Sequence, residues 1–532
     1  MRRMRILTAA QMREVDRRTT ERFAIPGLLL MENAAARSTE AIEATFGPQA
    51  GRFVRIVCGT GNNGGDGAAV ARQLWTRGAI VDVLVLGRVD DTKGDARTNF
   101  DVVVALAGLC DRLGVREIET SDDIWSDTTE PDLYVDAIFG TGLSRPAEGI
   151  HAEAIELLNA RGDCPLVALD LPSGLASDTP WPIGPHVRAD LTVTFTAPKL
   201  ACVLPPASEA CGRLVTAAIG SPDDLLEESG ARLSLVTSEA VDAWLAASRR
   251  TRDAHKGSVG SVLMLAGSLG KTGAAALAAH AAVRAGAGLV AVATSRSVQP
   301  ALAAGAIAEV MTEPLDELPG GGLGPGALER VRELLKGRTV AAIGPGLGTA
   351  DATRALVHDL VLARERPLVL DADALNCLAP WPEGIRGSAE LPIVVTPHPA
   401  EMARIAGSQT DEVVRDRVVA ARGFADRHGV IVVLKGAGTV VAEPNGITYV
   451  NPTGNAGMAT GGSGDVLTGL VAGLLAQRPR EPLEAAIAGV YLHGLAGDLA
   501  AAETGTRALA AGDLIAHLGR AFLAVGGDAE RP

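Results

Sequence analysis

Apolar positions first recur with a helical period. Thr8-Ala9-Ala10-Gln11 is a capping-box pattern before an apolar stripe, and it predicts an amphipathic helix over Leu7–Thr20. Ile25-Pro26-Gly27 breaks that helix, and Leu28–Ala44 predicts a second. Short apolar runs rich in β-branched residues then alternate with helical patterns: Val54–Cys58, Ile80–Leu86, Leu133–Phe139, Leu166–Leu169 and Leu191–Phe195. Such alternation is the signature of a parallel α/β sheet. The order fades near Gly220, and Ser221–Ser258 is more charged and lacks strong strands. A domain boundary is therefore expected between 220 and 250, giving domains 1–225 and 226–532. The second half repeats the logic with Val262–Ala266, Leu289–Ala293, Val340–Ile343, Leu368–Leu370, Ile393–Val395 and Ile431–Leu434. Thr439–Glu443 and Ile447–Asn451 flank Pro444-Asn445-Gly446, a hairpin signal. Gly320–Gly326 reads as a surface loop.

With 532 residues, each domain can bury a full core. A net charge of −14 without a basic stripe argues against a nucleic-acid surface. No apolar run is read as long enough to span a membrane, and Met1–Arg18 lacks the apolar core of a signal peptide. The six cysteines (Cys58, Cys110, Cys164, Cys202, Cys211 and Cys377) form no CxxC pair or metal spacing. They read as small buried hydrophobes in a reducing, cytoplasmic compartment. A homo-oligomer is expected, with neither nucleic acid nor membrane as partner.

The chemistry gathers at strand ends, where α/β proteins bind ligands. Gly344-Pro345-Gly346-Leu347-Gly348, Asp371-Ala372-Asp373-Ala374-Leu375, Thr396-Pro397-His398-Pro399-Ala400-Glu401 and Lys435-Gly436-Ala437-Gly438-Thr439 each follow a strand of the second half. The set closes with Gly454–Asp465, a glycine-rich loop entering a helix whose stripe runs Val466, Leu467, Leu470, Val471, Leu474, Leu475. A helix start offers unpaired N–H groups and a positive dipole end to phosphate. A carboxylate placed there, Asp465, is suited to general-base work; the alternative is a plain glycine-rich cap. Gly270-Lys271-Thr272 imitates the end of a Walker A loop, but position 265 is Leu where that motif needs Gly.

These blocks resemble, in order, the ribokinase-like fold, and specifically the NAD(P)H-hydrate dehydratases. The resemblance implies removal of water from hydrated NADH or NADPH, with ADP as co-substrate and Mg2+ beside it. The ring hydroxyl would be phosphorylated with Asp465 as base, and phosphate would then leave, pushed by the ring nitrogen. It puts adenine nucleotide on Lys435, Gly436, Ala437, Gly438, Thr439 and Gly464, and the hydrate near Ala274, Gly346, His398 and Asp465. His398, between two prolines, could equally be a hydrogen-bonded loop histidine.

In the first half, Gly59-Thr60-Gly61-Asn62-Asn63-Gly64-Gly65-Asp66-Gly67 follows the strand Val54–Cys58 and contains G-x-G-x-x-G. A standard dinucleotide site would start its helix after the third glycine, whereas this chain continues Gly65-Asp66-Gly67, and Asn62–Asp66 reads as a loop. The expected acidic residue at the end of the second strand is missing too, since Asp82 lies inside its run, so hydride transfer is disfavoured. With Leu28–Ala34, Val135–Leu143 and Asp170-Leu171-Pro172-Ser173-Gly174, the block resembles the NAD(P)H-hydrate epimerases, whose fold is Rossmann-like with three αβα layers. The resemblance implies exchange of R and S hydrates, with Asp170 catalytic. It places Asn62, Asn63, Gly64, Gly65, Asp66, Gly140, Thr141, Gly142, Leu143, Ser144, Arg145, Pro146 and Asp170 on the hydrate, and K+ on Asn63, Asp136 and Ser173. These ligands offer hard oxygens, as an alkali cation requires. Asp136 inside an apolar strand needs a partner, which a buried Arg or the backbone could also supply. Asp170 could also be a turn-forming Asx residue.

Three readings follow: a bifunctional repair enzyme, a small-molecule kinase with a regulatory α/β domain, or a dehydratase joined to a binding scaffold without turnover. Asp465 is shared by kinases of that fold, so it cannot separate the first two. The set Asn63, Asp136 and Asp170 favours the first.

Overall fold

The computed structural model describes residues 4–120, 123, 129–319 and 322–526. Of the expected loop Gly320–Gly326, Gly320 and Gly321 lie outside those residues. The chain divides into two compact units, Arg5–Arg232 and one that begins at Leu233.

In the first unit, Thr8 caps the helix Ala9–Phe23 in a capping box with Gln11. Seven strands form a sheet in the order Leu113–Ile118, Ile80–Leu86, Phe53–Cys58, Leu133–Ala137, Leu166–Leu169, Leu191–Phe195, Arg213–Ala217, with every neighbour parallel. The central strands are buried on both faces, which explains their near-continuous apolar runs. After Phe53–Cys58 the chain builds toward one edge; with Leu133–Ala137 it returns to the other side. The crevice of such a sheet opens at that reversal, beyond the strand C-termini. Arg55 and Asp82 are register partners on adjacent strands and bond at 3.0 Å, so Asp82 holds the sheet together and takes no part in the crevice.

In the second unit, Leu233–Leu235, Thr448–Val450, Val440–Ala442, Ile431–Leu434, Ile393–Val395, Leu368–Leu370, Val340–Ile343, Ser261–Leu265, Leu289–Ser295 and Val310–Leu315 are successive neighbours in one sheet. The predicted hairpin is antiparallel; the larger part, from Ile431–Leu434 to Val310–Leu315, is parallel. The chain reverses direction between Ser261–Leu265 and Val340–Ile343. Helices Thr272–Arg284 and Ser463–Gln477 pack backbone to backbone: a Cβ on Gly469 would lie 1.9 Å from the Ala278 carbonyl oxygen. The architecture is thus a parallel α/β domain followed by a second, largely parallel α/β domain.

Three expectations change. The Asn62–Asp66 segment is no loop: a helix runs Asn62–Thr76, and its glycines permit close packing, since a Cβ on Gly64 would fall 1.8 Å from the Gly59 carbonyl oxygen. Ser221–Ser258 contains the strand Leu233–Leu235 and the helix Ser238–Ala246. The helix Pro482–Thr504 is long and apolar enough, by length and composition, to cross a membrane, contrary to the sequence reading. Its apolar residues are largely buried in the core beside Ser463–Gln477, as in a core helix.

Candidate functional site

The crevice of the first unit is a cleft of about 620 Å³. Gly61, Asn62, Asn63 and Asp66 line it from the start of the helix Asn62–Thr76; Gly140 to Arg145 and Asp170 line it from two strand ends. Gly64, Gly65 and Pro146 stand behind the wall, where a Cβ on Gly65 would meet Ala96 and Pro146 packs on Gly184. Asp170 sits at φ +63°, in the left-handed region that few non-glycine residues adopt. It accepts a hydrogen bond from the Thr141 amide at 3.1 Å. Its other oxygen receives the Lys199 ammonium at 2.5 Å, and Lys199 also donates to Thr194 Oγ1 at 2.9 Å and the Phe195 carbonyl at 3.1 Å. Lys199 is fully buried. Sequence reasoning missed it; the signal was a lysine four residues past the apolar strand Leu191–Phe195, where a charge has to be paired.

Asp136 is fully buried and paired with Ser173. Ser173 donates to it through Oγ at 2.6 Å and through its amide at 2.8 Å, and the Ile138 amide adds a bond of 3.2 Å. Burial pushes its pKa up to about 6 against those bonds. The Ser173 hydroxyl also accepts from the Phe139 amide at 2.8 Å. Asn63 is buried, and among the described residues neither its Nδ2 nor its Oδ1 has a partner. A Cβ on Gly140 would touch Asp170 Oδ2 at 2.9 Å and Asn63 Oδ1 at 3.5 Å, so these two side chains flank the same backbone point. The unpartnered Asn63 amide oxygen and the oxygens of Asp136 and Ser173 are hard donors of the kind that fits a cation with oxygen ligands.

In the second unit, Gly462 at φ +94° caps the helix Ser463–Gln477, which places Asp465 in its first turn. Lys435, at the end of the strand Ile431–Leu434, bonds Asp371 Oδ1 at 2.6 Å. Asp371 Oδ2 accepts from Thr468 Oγ1 at 2.7 Å, tying a buried carboxylate to the helix that bears Asp465. A Cβ on Gly464 would lie 3.4 Å from Lys435 Nζ, so Gly464, Lys435 and Asp465 share one small space. Burial disfavours the Lys435 charge, but Asp371, Glu401 and Asp465 outweigh it and hold its pKa above the ordinary value. Burial pushes Asp465 up to about 6; Asp371 adds to the effect and Lys435 opposes it. The loop Gly436–Thr439 is held by Arg417, which bonds the Ala437 carbonyl at 2.5 Å.

Gly346 packs against the Lys271–Ala274 segment, where a Cβ on it would lie 3.1 Å from the Ala274 Cβ, and its carbonyl accepts from Ser268 Oγ at 2.7 Å. Asp373 accepts from the Gly348 amide at 2.8 Å and pairs with Lys271 at 3.1 Å, which accounts for the Walker-like lysine. His398 is the N-cap of the helix Pro399–Ala406, its Nδ1 accepting from the Ala400 and Glu401 amides; its imidazole edge is exposed. The loop-histidine reading therefore describes half the ring, and Nε2 faces Glu401 at 3.5 Å. Asp498 accepts from the Gly454 amide and from Asn455 Nδ2, both at 2.9 Å, and so pins the start of the glycine-rich loop. Asp371, Glu401, Thr468 and Asp498 were not predicted as site residues. Asp371 stood in a flagged block, but its partners come from distant strands and helices.

Two family profiles match the chain. One, described as NAD(P)H-hydrate dehydratase, covers residues 262–520; the other, described as YjeF-related protein N-terminus, covers 27–201. The bifunctional NAD(P)H-hydrate repair enzyme Nnr of Moorella thermoacetica is 46% identical over 519 residues, 97% of this chain and 96% of that protein. The enzyme of the same name from Escherichia coli is 36% identical over 466 residues, 87% of this chain and 84% of that one. A Bacillus subtilis ADP/ATP-dependent NAD(P)H-hydrate dehydratase, co-crystallised with ATP/Mg2+, is 33% identical with a TM-score of 0.48; the match covers 55% of this chain and 98% of that one.

Proposed function

The chain belongs to the bifunctional NAD(P)H-hydrate repair enzymes, and from that premise we propose how its residues divide the work. It is an enzyme with an epimerase and a dehydratase domain: it exchanges the R and S epimers of hydrated NADH or NADPH and dehydrates the S form. The observation that carries the residue assignment is Asp465 in the first turn of a helix, within the charge field of Lys435 and Asp371.

In the dehydratase, the unpaired amides at the start of Ser463–Gln477 receive the phosphates of ADP. Lys435 and the Gly436–Thr439 loop hold the nucleotide, with Gly464 beside them. Ala274, Gly346 and His398 place the hydrate so that its ring hydroxyl faces Asp465. Asp465 takes the hydroxyl proton as the oxygen attacks the terminal phosphorus. AMP is left behind. The ester then breaks at its C–O bond as the ring nitrogen supplies electrons. The neighbouring ring carbon gives up a proton to the departing phosphate, which restores the ring double bond and releases phosphate and the intact dihydronicotinamide. Mg2+ would travel with the phosphates and offset their charge; among the described residues no three His, Cys, Asp or Glu side chains converge into a cage for it.

In the epimerase, Asp170 is the acid/base group. Lys199 fixes one of its oxygens and Thr141 the other, while Asn62, Asn63, Asp66 and Gly140–Arg145 hold the hydrate. Asn63, Asp136 and Ser173 would hold K+, which supplies a positive charge where Asn63 Oδ1 has no partner. The chain is further proposed to act as a homo-oligomer. The whole reading is tested by incubating the protein with mixed R and S NADHX, with and without ADP, and following NADH absorbance. NADH should form only with nucleotide; none in either arm overturns the assignment.

A further inference from the structure

We propose that Asp16 is the second proton carrier of the hydrate cleft, exchanging a proton with Asp170 through the substrate; this rests on the epimerase reading of that cleft. Asp16 projects from the helix Ala9–Phe23, which is fixed at its start by the Thr8 capping box and by Asp178, whose Oδ1 accepts from the Ala9 amide at 2.7 Å. It lines the cleft together with Asp66, Asp170 and Lys199. Asp16 and Asp170 therefore reach one space from different walls, a helix and a strand end.

Asp16 Oδ1 is buried and, among the described residues, has no hydrogen-bond partner. Burying an ionised carboxylate without a partner is costly, and holding a proton removes that cost. The Lys199 ammonium is engaged with Asp170 at 2.5 Å and forms no ion pair with Asp16. Arg13, Asp95, Arg145 and His151 complete the charged and titratable lining, and none of them bonds Asp16. Burial pushes the Asp16 carboxyl up to about 6, with Lys199 pulling it down and Asp170 pushing it further up.

A carbinol carbon next to a ring nitrogen inverts when hydroxyl is lost from one face and water arrives on the other. Protonated Asp16 gives its proton to the departing hydroxyl. The C–O bond breaks, water leaves, and the nitrogen lone pair supplies electrons to the carbon. Water then attacks from the opposite face, the new C–O bond forms, and the electron pair returns to nitrogen. Ionised Asp170 takes the proton of that water. The reverse direction moves the proton back. One water leaves and one enters, and nothing is oxidised or reduced.

The test uses the full chain with purified R hydrate and no nucleotide, so that dehydration is silent, and follows the R/S ratio by chromatography from pH 5 to 8. Wild type should lose rate as pH rises through about 6, where Asp16 gives up its proton. Asp16→Asn should exchange about 10²–10⁴-fold more slowly, through kcat with KM little changed, and lose that alkaline limb. Asp16→Glu should recover part of the rate and restore a displaced limb. Wild-type kcat and pH profile in Asp16→Asn overturn the proposal. Should Asp16→Asn melt unfolded, Asp16→Glu decides: a profile superimposable on wild type overturns it. A wild-type protein that exchanges nothing at any pH overturns the epimerase reading itself, and this proposal with it.

Discussion

At the scale of single residues, the two sites keep charge by different means. Among the described residues Asp465 has no ion-pair partner of its own, and it sits in the field of Asp371, Glu401 and Lys435. A base must be ionised to work, and its pKa is raised to about 6, so dehydration of pure S hydrate should fall as pH drops through that value. A rate unchanged between pH 5 and 7.5 would remove Asp465 from the base role. Asp465→Ala should slow dehydration about 10²–10⁴-fold, roughly 3–5 kcal/mol of barrier, while R/S exchange continues. In the other unit, the buried pair Lys199–Asp170 is the sensitive point. Lys199→Met leaves the Asp170 carboxylate without its cation and should cost about 3–5 kcal/mol of stability as well as exchange activity. Denaturant unfolding measures the first; a transition unmoved in Lys199→Met would mean that the pair contributes little.

Among elements, the helix Ser463–Gln477 transmits the most. Its first turn bears Asp465, and its flank meets Thr272–Arg284 without room for side chains at Gly469. Gly469→Val would place carbon 1.9 Å from the Ala278 carbonyl oxygen, so the two helices must separate. That should destabilise the protein by at least about 1–3 kcal/mol and lower dehydration by displacing Asp465. Wild-type stability and turnover in this variant would contradict the packing account. The central strands were legible because burial on both faces writes continuous apolar runs such as Ile431–Leu434. Leu113–Ile118, Arg213–Ala217 and Val310–Leu315 were not, because all three are sheet edges. Edge strands are half exposed and carry polar residues, and one of them contains Pro314. Asn62–Asp66 was read as a loop because its glycines disfavour helix in isolation; contact with Gly59 and Ala96 makes those glycines necessary in the helix. The strand-end motifs pointed to most of the site residues, but Asp371 and Glu401 within those motifs, and Lys199 and Asp16 outside them, were not singled out. Their pairing depends on elements far apart in sequence, which no local pattern records.

For the whole molecule, the account requires two complete sites in one chain. K+ should raise the melting temperature of wild type by binding the folded state, and raise it less in Asp136→Ala, with Na+ at equal ionic strength as control. Identical responses would discard the cation site and leave Asp136 as a strand carboxylate bonded to Ser173. The measurement that bears most directly on the central claim uses mixed R and S NADHX with ADP at a pH and time where spontaneous exchange is slow. Wild type should convert the whole mixture to NADH; Asp170→Asn should stop at the S share, Asp465→Ala should form none, and mixing the two variants should restore full conversion. Conversion of the R share by Asp170→Asn at the wild-type rate, or NADH formation by Asp465→Ala at the wild-type rate, would contradict the account.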